Sequence, residues 1–116
     1  MIIYPPTPEL PVADVEVAQH YYHAHFGFDI AWYHAEGRIG AVSHGDCAIF
    51  MRQSDGPIHP ATFWIYAADV DQTYAALTRR GADIIDPIAD KPWGLRQFTA
   101  RDLYGNLFHF HHDIDT

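Results

Sequence analysis

Two histidines, His109 and His111, stand two residues apart in the run "GNLFHFHHD" (105–113). Alternation there puts Leu107, His109 and His111 on one side of an extended chain, with Phe108, Phe110 and His112 on the other. Neutral imidazole is the commonest side-chain ligand for transition metals, so the histidine side invites a metal reading. A metal site takes three or more protein donors, however, and this strand supplies two. His20 and His23, three residues apart on a helical stretch, form a second pair, for which surface histidines on an amphipathic helix are the commoner explanation. No HExxH, CxxC or paired-glycine phosphate loop occurs in the sequence. Ser43, Ser54 and Cys47 lack a local nucleophile signature, and nothing in the spacing of Glu9, Asp46 or His109 favours any of them as a general acid or base.

A second chemistry is stacking. Trp32 and Tyr33 adjoin, Trp64 and Tyr66 alternate on one side of "TFWIY", and Trp93 sits in "KPWG". Tryptophans in a small domain fill the core by default. Trp93 argues otherwise, because it lies between Pro92 and Gly94 near Lys91 and Arg96, with little local core to join. Aromatics exposed beside a cleft offer flat surfaces to a planar ring or a cation. The stretch from Lys91 to Asp113 therefore reads either as half of a metal site or as the wall of a pocket that grips its ligand by stacking.

The elements that position these residues read as one motif used twice. "ADVEVAQHYYHAHFGF" (13–28) and "ADVDQTYAALTRRGADI" (68–84) both open on Ala-Asp-Val, 55 residues apart. Asp14 and Asp69 are placed to accept hydrogen bonds from first-turn amides as N-caps. Val15, Ala18, Tyr21, Tyr22 and His25 fall at helical spacing, as do Val70, Thr73, Tyr74 and Leu77. Gly27 and Gly81 stand where a helix end wants positive φ. A short extended piece precedes each helix, and three strand-like segments follow: "DIAWYH", "RIGAVSH" and "CAIFMRQ" in one half, "ADIIDPI", "RQFTARD" and "NLFHFHH" in the other. His44-Gly45-Asp46 and Tyr104-Gly105-Asn106 are echoing turns, and "SDGPIHP" (54–60) separates the halves. The expectation is an α+β fold, two βαβββ repeats (about 7–54 and 60–113) forming a curved mixed sheet, in a single domain over 1–116. The competing reading is an unrelated α+β domain with a chance Ala-Asp-Val repeat.

Bulk properties narrow the partners. Fifteen acidic against seven basic residues give a net charge of −8, the wrong sign for a phosphate backbone, so nucleic acid is excluded as an expected partner while a cationic small molecule is attracted. No run approaches the ~20 apolar residues of a membrane helix. The start "MIIYPPTPEL" lacks the pattern of a signal peptide and Cys47 is alone, so cytoplasmic residence is expected.

"LPVADVEVAQHYYHAHFGF", "FWIYAADVDQTYAALTRRGA" and "KPWGLRQFTARDLYGNLFHF" together resemble the glyoxalase/bleomycin resistance/dioxygenase (vicinal oxygen chelate) superfamily, from about residue 7 to 112. Within it, "PWG" followed by F-x-x-x-D-x-x-G-N resembles the bleomycin resistance branch. Enzymes of the superfamily carry one metal ligand on the first and last strand of each half. Counted from the helix starts and turns, the resemblance puts those positions at Thr7, Phe50, Thr62 and His109, of which phenylalanine cannot ligate and threonine is a weak substitute for His or Glu. A one-residue shift repairs nothing, leaving Glu9 and His109 as donors. The resemblance thus implies a non-catalytic binding protein without a cofactor or metal, in preference to a metal-dependent glyoxalase- or dioxygenase-like enzyme of the same superfamily.

What the branch implies further is a homodimer that exchanges an N-terminal arm held out by a proline, matched by Pro8, and that sequesters an antibiotic in crevices at the dimer interface. Its ligand is planar and cationic, of bleomycin type. Trp93 matches the stacking aromatic of "PWG" and Gly94 its glycine. Trp32 matches an aromatic after the first helix, and Trp64 and Tyr66 match aromatics of the strand opening the second half. Phe50 and His109 fill the vacated metal positions and line the crevice. Two positions depart from the branch: Ala31 stands where an acidic residue is expected, and Arg38 where a second aromatic is.

Overall fold

The computed structural model describes residues 1–114 and divides into two compact units, Met1–Ile58 and the chain from His59 onward. Each unit is a four-stranded mixed sheet with one helix, and the two share a strand order, so the duplicated βαβββ pattern holds.

In the first unit the order of elements is β1 (Glu9–Val12), α1 (Val15–Phe26), β2 (Asp29–His34), β3 (Ile39–His44) and β4 (Cys47–Gln53), and the sheet order is β1-β4-β3-β2. β1 runs parallel to β4, the other pairs are antiparallel, and the register places Glu9 beside Phe50. Asp14 caps α1 through its carboxylate, which accepts from Val17 N–H at 3.0 Å, and Gly27 ends it at φ 71°. Val15, Ala18, Tyr22 and Phe26 of the helix bury against Leu10, Val12, Val42, Ile49 and Met51 of the sheet. Gly40 is where helix and sheet touch most closely: a Cβ there would lie 2.7 Å from both Val15 Cγ1 and Gln19 Nε2.

The second unit repeats this as β5 (Thr62–Tyr66), α2 (Val70–Arg79), β6 (Asp83–Asp90), β7 (Leu95–Arg101) and β8 (Leu107–Asp113), in the order β5-β8-β7-β6. Asp69 caps α2 by accepting from Gln72 N–H at 3.2 Å, and His112 Nδ1 accepts from Val70 N–H at 2.9 Å. Arg80 caps the helix and Gly81 follows at φ 74°, so the positive-φ glycine stands one residue further past the helix end than Gly27 does. Its core is aromatic: Phe98 stacks on Phe110 at 5.1 Å and takes the edge of Tyr74 at 5.0 Å, while Phe63 stacks on Phe108 at 5.3 Å.

The turn Asp102…Asn106 closes this unit. Asp102 is buried, and its carboxylate accepts from Tyr104 N–H, Asn106 N–H and Asn106 Nδ2 at 2.8–2.9 Å. Asn106 Oδ1 in turn accepts from Ala61 N–H at 2.8 Å, fastening the start of β5 beside β8. Among the described residues no helix is long and apolar enough to cross a membrane.

Candidate functional site

Each sheet has one face against its helix and one face away from it, and the far faces carry the residues singled out by type and spacing. Their aim depends on bulges. In β2 the pairing jumps from Ile30↔Val42 to Trp32↔Ala41, so Ala31 is an extra residue that turns Trp32 away from the helix. In β6 the pairing jumps from Ile84↔Ala100 to Asp86↔Thr99, and Ile85 is the extra residue that turns Asp86 the same way. The first bulge is buttressed from beneath: Gln19, buried on α1, donates through Nε2 to Trp32 C=O at 2.8 Å and Ala41 C=O at 3.1 Å. The position where an acidic residue is expected is thus the bulge residue Ala31.

Across the far face of the first sheet runs the row Trp32, Ala41, Phe50, Glu9. Trp32 meets Phe50 edge-on at 5.3 Å. Glu9 is drawn into an ion pair with Arg52 at 3.1 Å. Arg38, in the β2–β3 turn at φ 55°, pairs with Asp55, whose carboxyl is held below its ordinary range by that guanidinium. Pro8 precedes β1, and its carbonyl accepts from Phe50 N–H at 2.9 Å, so β1 is laid on its own β4. Ahead of it Ile2, Ile3 and Tyr4 are exposed.

The equivalent row of the second sheet is Asp86, Thr99, His109, Trp64, and next to it run Ala89, Gln97, His111 and Tyr66. Trp64 lies over His109, ring centres 4.3 Å apart and tilted 36°, and His111 is flanked by Trp64 at 5.6 Å and Tyr66 at 5.7 Å. Thr99 Oγ1 is 2.6 Å from His109 Nδ1. Asp86 receives Lys91 Nζ at 2.9 Å. His109 has its pKa lowered, chiefly by burial; His111 and Lys91 push the same way and Asp86 opposes them. A neutral imidazole is therefore favoured there. His111 Nδ1 is buried without a hydrogen-bond partner.

Trp93 sits in a turn closed by Lys91 N–H to Leu95 C=O at 2.8 Å and Gly94 N–H to Lys91 C=O at 3.0 Å. Gly94 serves this turn through its φ of 87°; its carbonyl accepts from Ile114 N–H, so both of its backbone polar groups are engaged. Trp93, Trp64 and Tyr66 expose 61%, 53% and 62% of their surface, which removes them from the core.

The structure thus brings Trp32 and Phe50 together on one far face, and Trp64, Tyr66 and His109 on the other, with Trp93 tied to β7 in the same unit. In the register of the parallel pairs Glu9 stands beside Phe50, two residues past Thr7, and Trp64 beside His109, two past Thr62, which itself pairs with Leu107. Among the described residues no three or more His, Cys, Asp or Glu come together in a metal-binding group. His23 Nδ1 lies 2.8 Å from Phe28 C=O, which gives that histidine a structural partner. Sequence reasoning missed Gln97, Thr99 and the Asp86–Lys91 pair. The alternation in "RQFTAR" puts Gln97 and Thr99 together on the side opposite Phe98 and Ala100, but reads as a half-buried strand, whereas the structure buries all four.

A profile of the Glyoxalase/Bleomycin resistance protein/Dioxygenase superfamily matches residues 6–110. Among solved structures, TioX from Micromonospora sp. ML1 is 30% identical over 93% of this chain and 97% of its own, with a TM-score of 0.80. A superfamily member from Sphaerobacter thermophilus DSM 20745 is 24% identical over 95% of this chain and 97% of its own, with a TM-score of 0.78. The bleomycin resistance determinant encoded on the transposon Tn5 is 18% identical over 96% and 98%, and its TM-score of 0.82 speaks for the fold alone. No curated protein matches the sequence.

Proposed function

From its place in the glyoxalase/bleomycin resistance protein/dioxygenase superfamily, to which this chain belongs, we propose that it binds a small, planar, cationic molecule of bleomycin type and confers resistance by sequestration, without catalysis. The observation that carries this reading is the far face of the second sheet, where Trp64 and Tyr66, both more than half exposed, flank a histidine pair on an acidic protein. Exposed aromatic faces are unfavourable in water and favourable against a flat ring, and each such stack is worth roughly 1–3 kcal/mol in comparable settings. A neutral His109 adds no positive charge to repel a cation. Ligand contacts are assigned to Trp32, Phe50, Trp64, Tyr66, Trp93, Gly94 and His109.

The metal chemistry of the superfamily does not fit these side chains. In the first unit Phe50 offers no donor and Glu9 is paired with Arg52; in the second, His109 stands beside Trp64, which offers none. The protein acts as a homodimer in the cytoplasm, with the N-terminal strand held out at Pro8 exchanged between copies; the exposed Ile2, Ile3 and Tyr4 support that arrangement.

Calorimetric titration of metal-free and copper-loaded bleomycin into the purified protein tests the reading, with one drug bound per subunit as the expected result. Absence of heat at high protein concentration removes bleomycin as the ligand. Stoichiometric iron, nickel, zinc or manganese in protein purified without chelators would turn the assignment to an enzyme. Sedimentation at micromolar concentration reads the dimer.

A further inference from the structure

We infer that Gln97 is a positioning residue that locks Trp93 as a fixed stacking plate, and that Trp93 consequently recognises its ligand by ring face alone. The inference rests on the binding reading above and concerns how that site is held.

Trp93 is the one tryptophan of the second unit that no strand carries. A loop indole with most of its surface in water would sample several rotamers, and ordering it on binding costs affinity. Here the loop is tethered: the Lys91–Leu95 and Lys91–Gly94 hydrogen bonds close the turn, and Gly94 C=O holds Ile114 N–H just past β8. The indole itself is held by one bond, from Trp93 Nε1 to Gln97 Oε1 at 2.8 Å.

The chemistry of the pair is unambiguous. Indole N–H only donates, so the atom of the Gln97 amide facing it is the oxygen. Gln97 is itself rigid, because it is only 3% exposed and sits mid-strand on β7 opposite His111. An anchor that cannot move thus holds a ring that is otherwise free. With its single donor consumed, Trp93 has no hydrogen bond left for a ligand and offers its π surface, which tolerates any flat ring.

The test combines a ligand-free and a ligand-bound readout on Gln97→Leu, which keeps volume and removes the acceptor, and Gln97→Glu, which keeps an acceptor. In protein labelled with isotopic tryptophan, the Trp93 indole proton is assigned by its loss in Trp93→Ala. It is expected to exchange about three- to tenfold slower in wild type and Q97E than in Q97L, the ratio corresponding to one neutral hydrogen bond. Affinity for two flat cationic probes, metal-free bleomycin and ethidium, is expected to fall by about the same factor in Q97L and to recover in Q97E. An indole proton that exchanges equally in wild type and Q97L overturns the lock, with or without a ligand. Probes that bind wild type and Q97L equally, while Trp93→Ala loses them, overturn the positioning role alone. If neither probe binds wild type, the binding reading fails, and the exchange comparison still decides the lock.

Discussion

The two halves are built on one plan and furnished differently. In each, a bulge one residue before the key β2 or β6 position turns a side chain onto the far face, and a parallel strand pair sets a second residue beside it. The first half fills its row with Trp32, Ala41, Phe50 and Glu9, and the second with Asp86, Thr99, His109 and Trp64. Polar and aromatic ends are exchanged: tryptophan stands on β2 in one and on β5 in the other. The same backbone thus yields an apolar strip edged by an ion pair in one half. In the other it yields a histidine face with hydrogen-bonding neighbours. What duplication conserves here is geometry, and the chemistry of each face is free to diverge.

The contrast is sharpest at the turns before the last strand of each half. Asp102 is buried and accepts three hydrogen bonds, whereas Asp46 in the echoing turn is exposed. Asp102→Ala leaves two backbone N–H groups and the Asn106 amide without their acceptor, and is expected to destabilise by about 3 kcal/mol, given the worth of bonds to a charged group and the penalty for orphaned buried donors. Asp46→Ala is expected to lie within about 0.5 kcal/mol of wild type. Urea unfolding of the pair checks both, and equal effects would break the contrast between a buried, bonded aspartate and an exposed one.

The bulges differ next. Gln19 bonds two strand carbonyls under the first bulge. Gln19→Leu removes both of these bonds and is expected to cost about 2 kcal/mol by the same measurement. The far faces come third. Trp64→Ala is expected to lower affinity for metal-free bleomycin about tenfold, one stack's worth, while barely moving the urea midpoint because the ring is half in water. A Trp64→Ala variant that binds normally but unfolds early would recast this tryptophan as a structural residue.

Much of this fold was legible in advance. The repeated Ala-Asp-Val, the two capping aspartates, the glycines that end the helices and the alternating strands each correspond to a local rule, and local rules survive into the structure. The far-face residues were legible by type, since Trp64 and Tyr66 alternate with Phe63 and Ile65. Register was not. That Glu9 stands beside Phe50 and Trp64 beside His109 could not be read in advance, because the slide of one parallel strand along another is fixed by long-range pairing that no short window contains. The bulges were invisible for a related reason: an extra alanine or isoleucine carries no signature of its own. Gln97 escaped notice because its role depends on an indole brought back over it by a turn.

The smallest effect expected is electrostatic, and it separates the histidine face from its apolar counterpart. His109 has its pKa lowered mainly by burial, with help from His111 and Lys91 and opposition from Asp86. An unfolded histidine titrates near 6.5, so as pH falls below that value the unfolded chain takes up its proton before the native one does. Stability from this residue is accordingly full above pH ~6.5 and declines as pH drops through the depressed folded value. A nuclear magnetic resonance titration of the His109 ring should therefore show a midpoint below 6.5. Asp86→Asn removes the opposing charge and should move the midpoint lower still, while Lys91→Ala should move it up. A midpoint at or above 6.5 in wild type would mean that the ring is solvated and Trp64 does not cover it. It would also mean that His109 carries positive charge at mildly acidic pH and works against a cationic ligand, making affinity fall with pH earlier than the covered geometry allows.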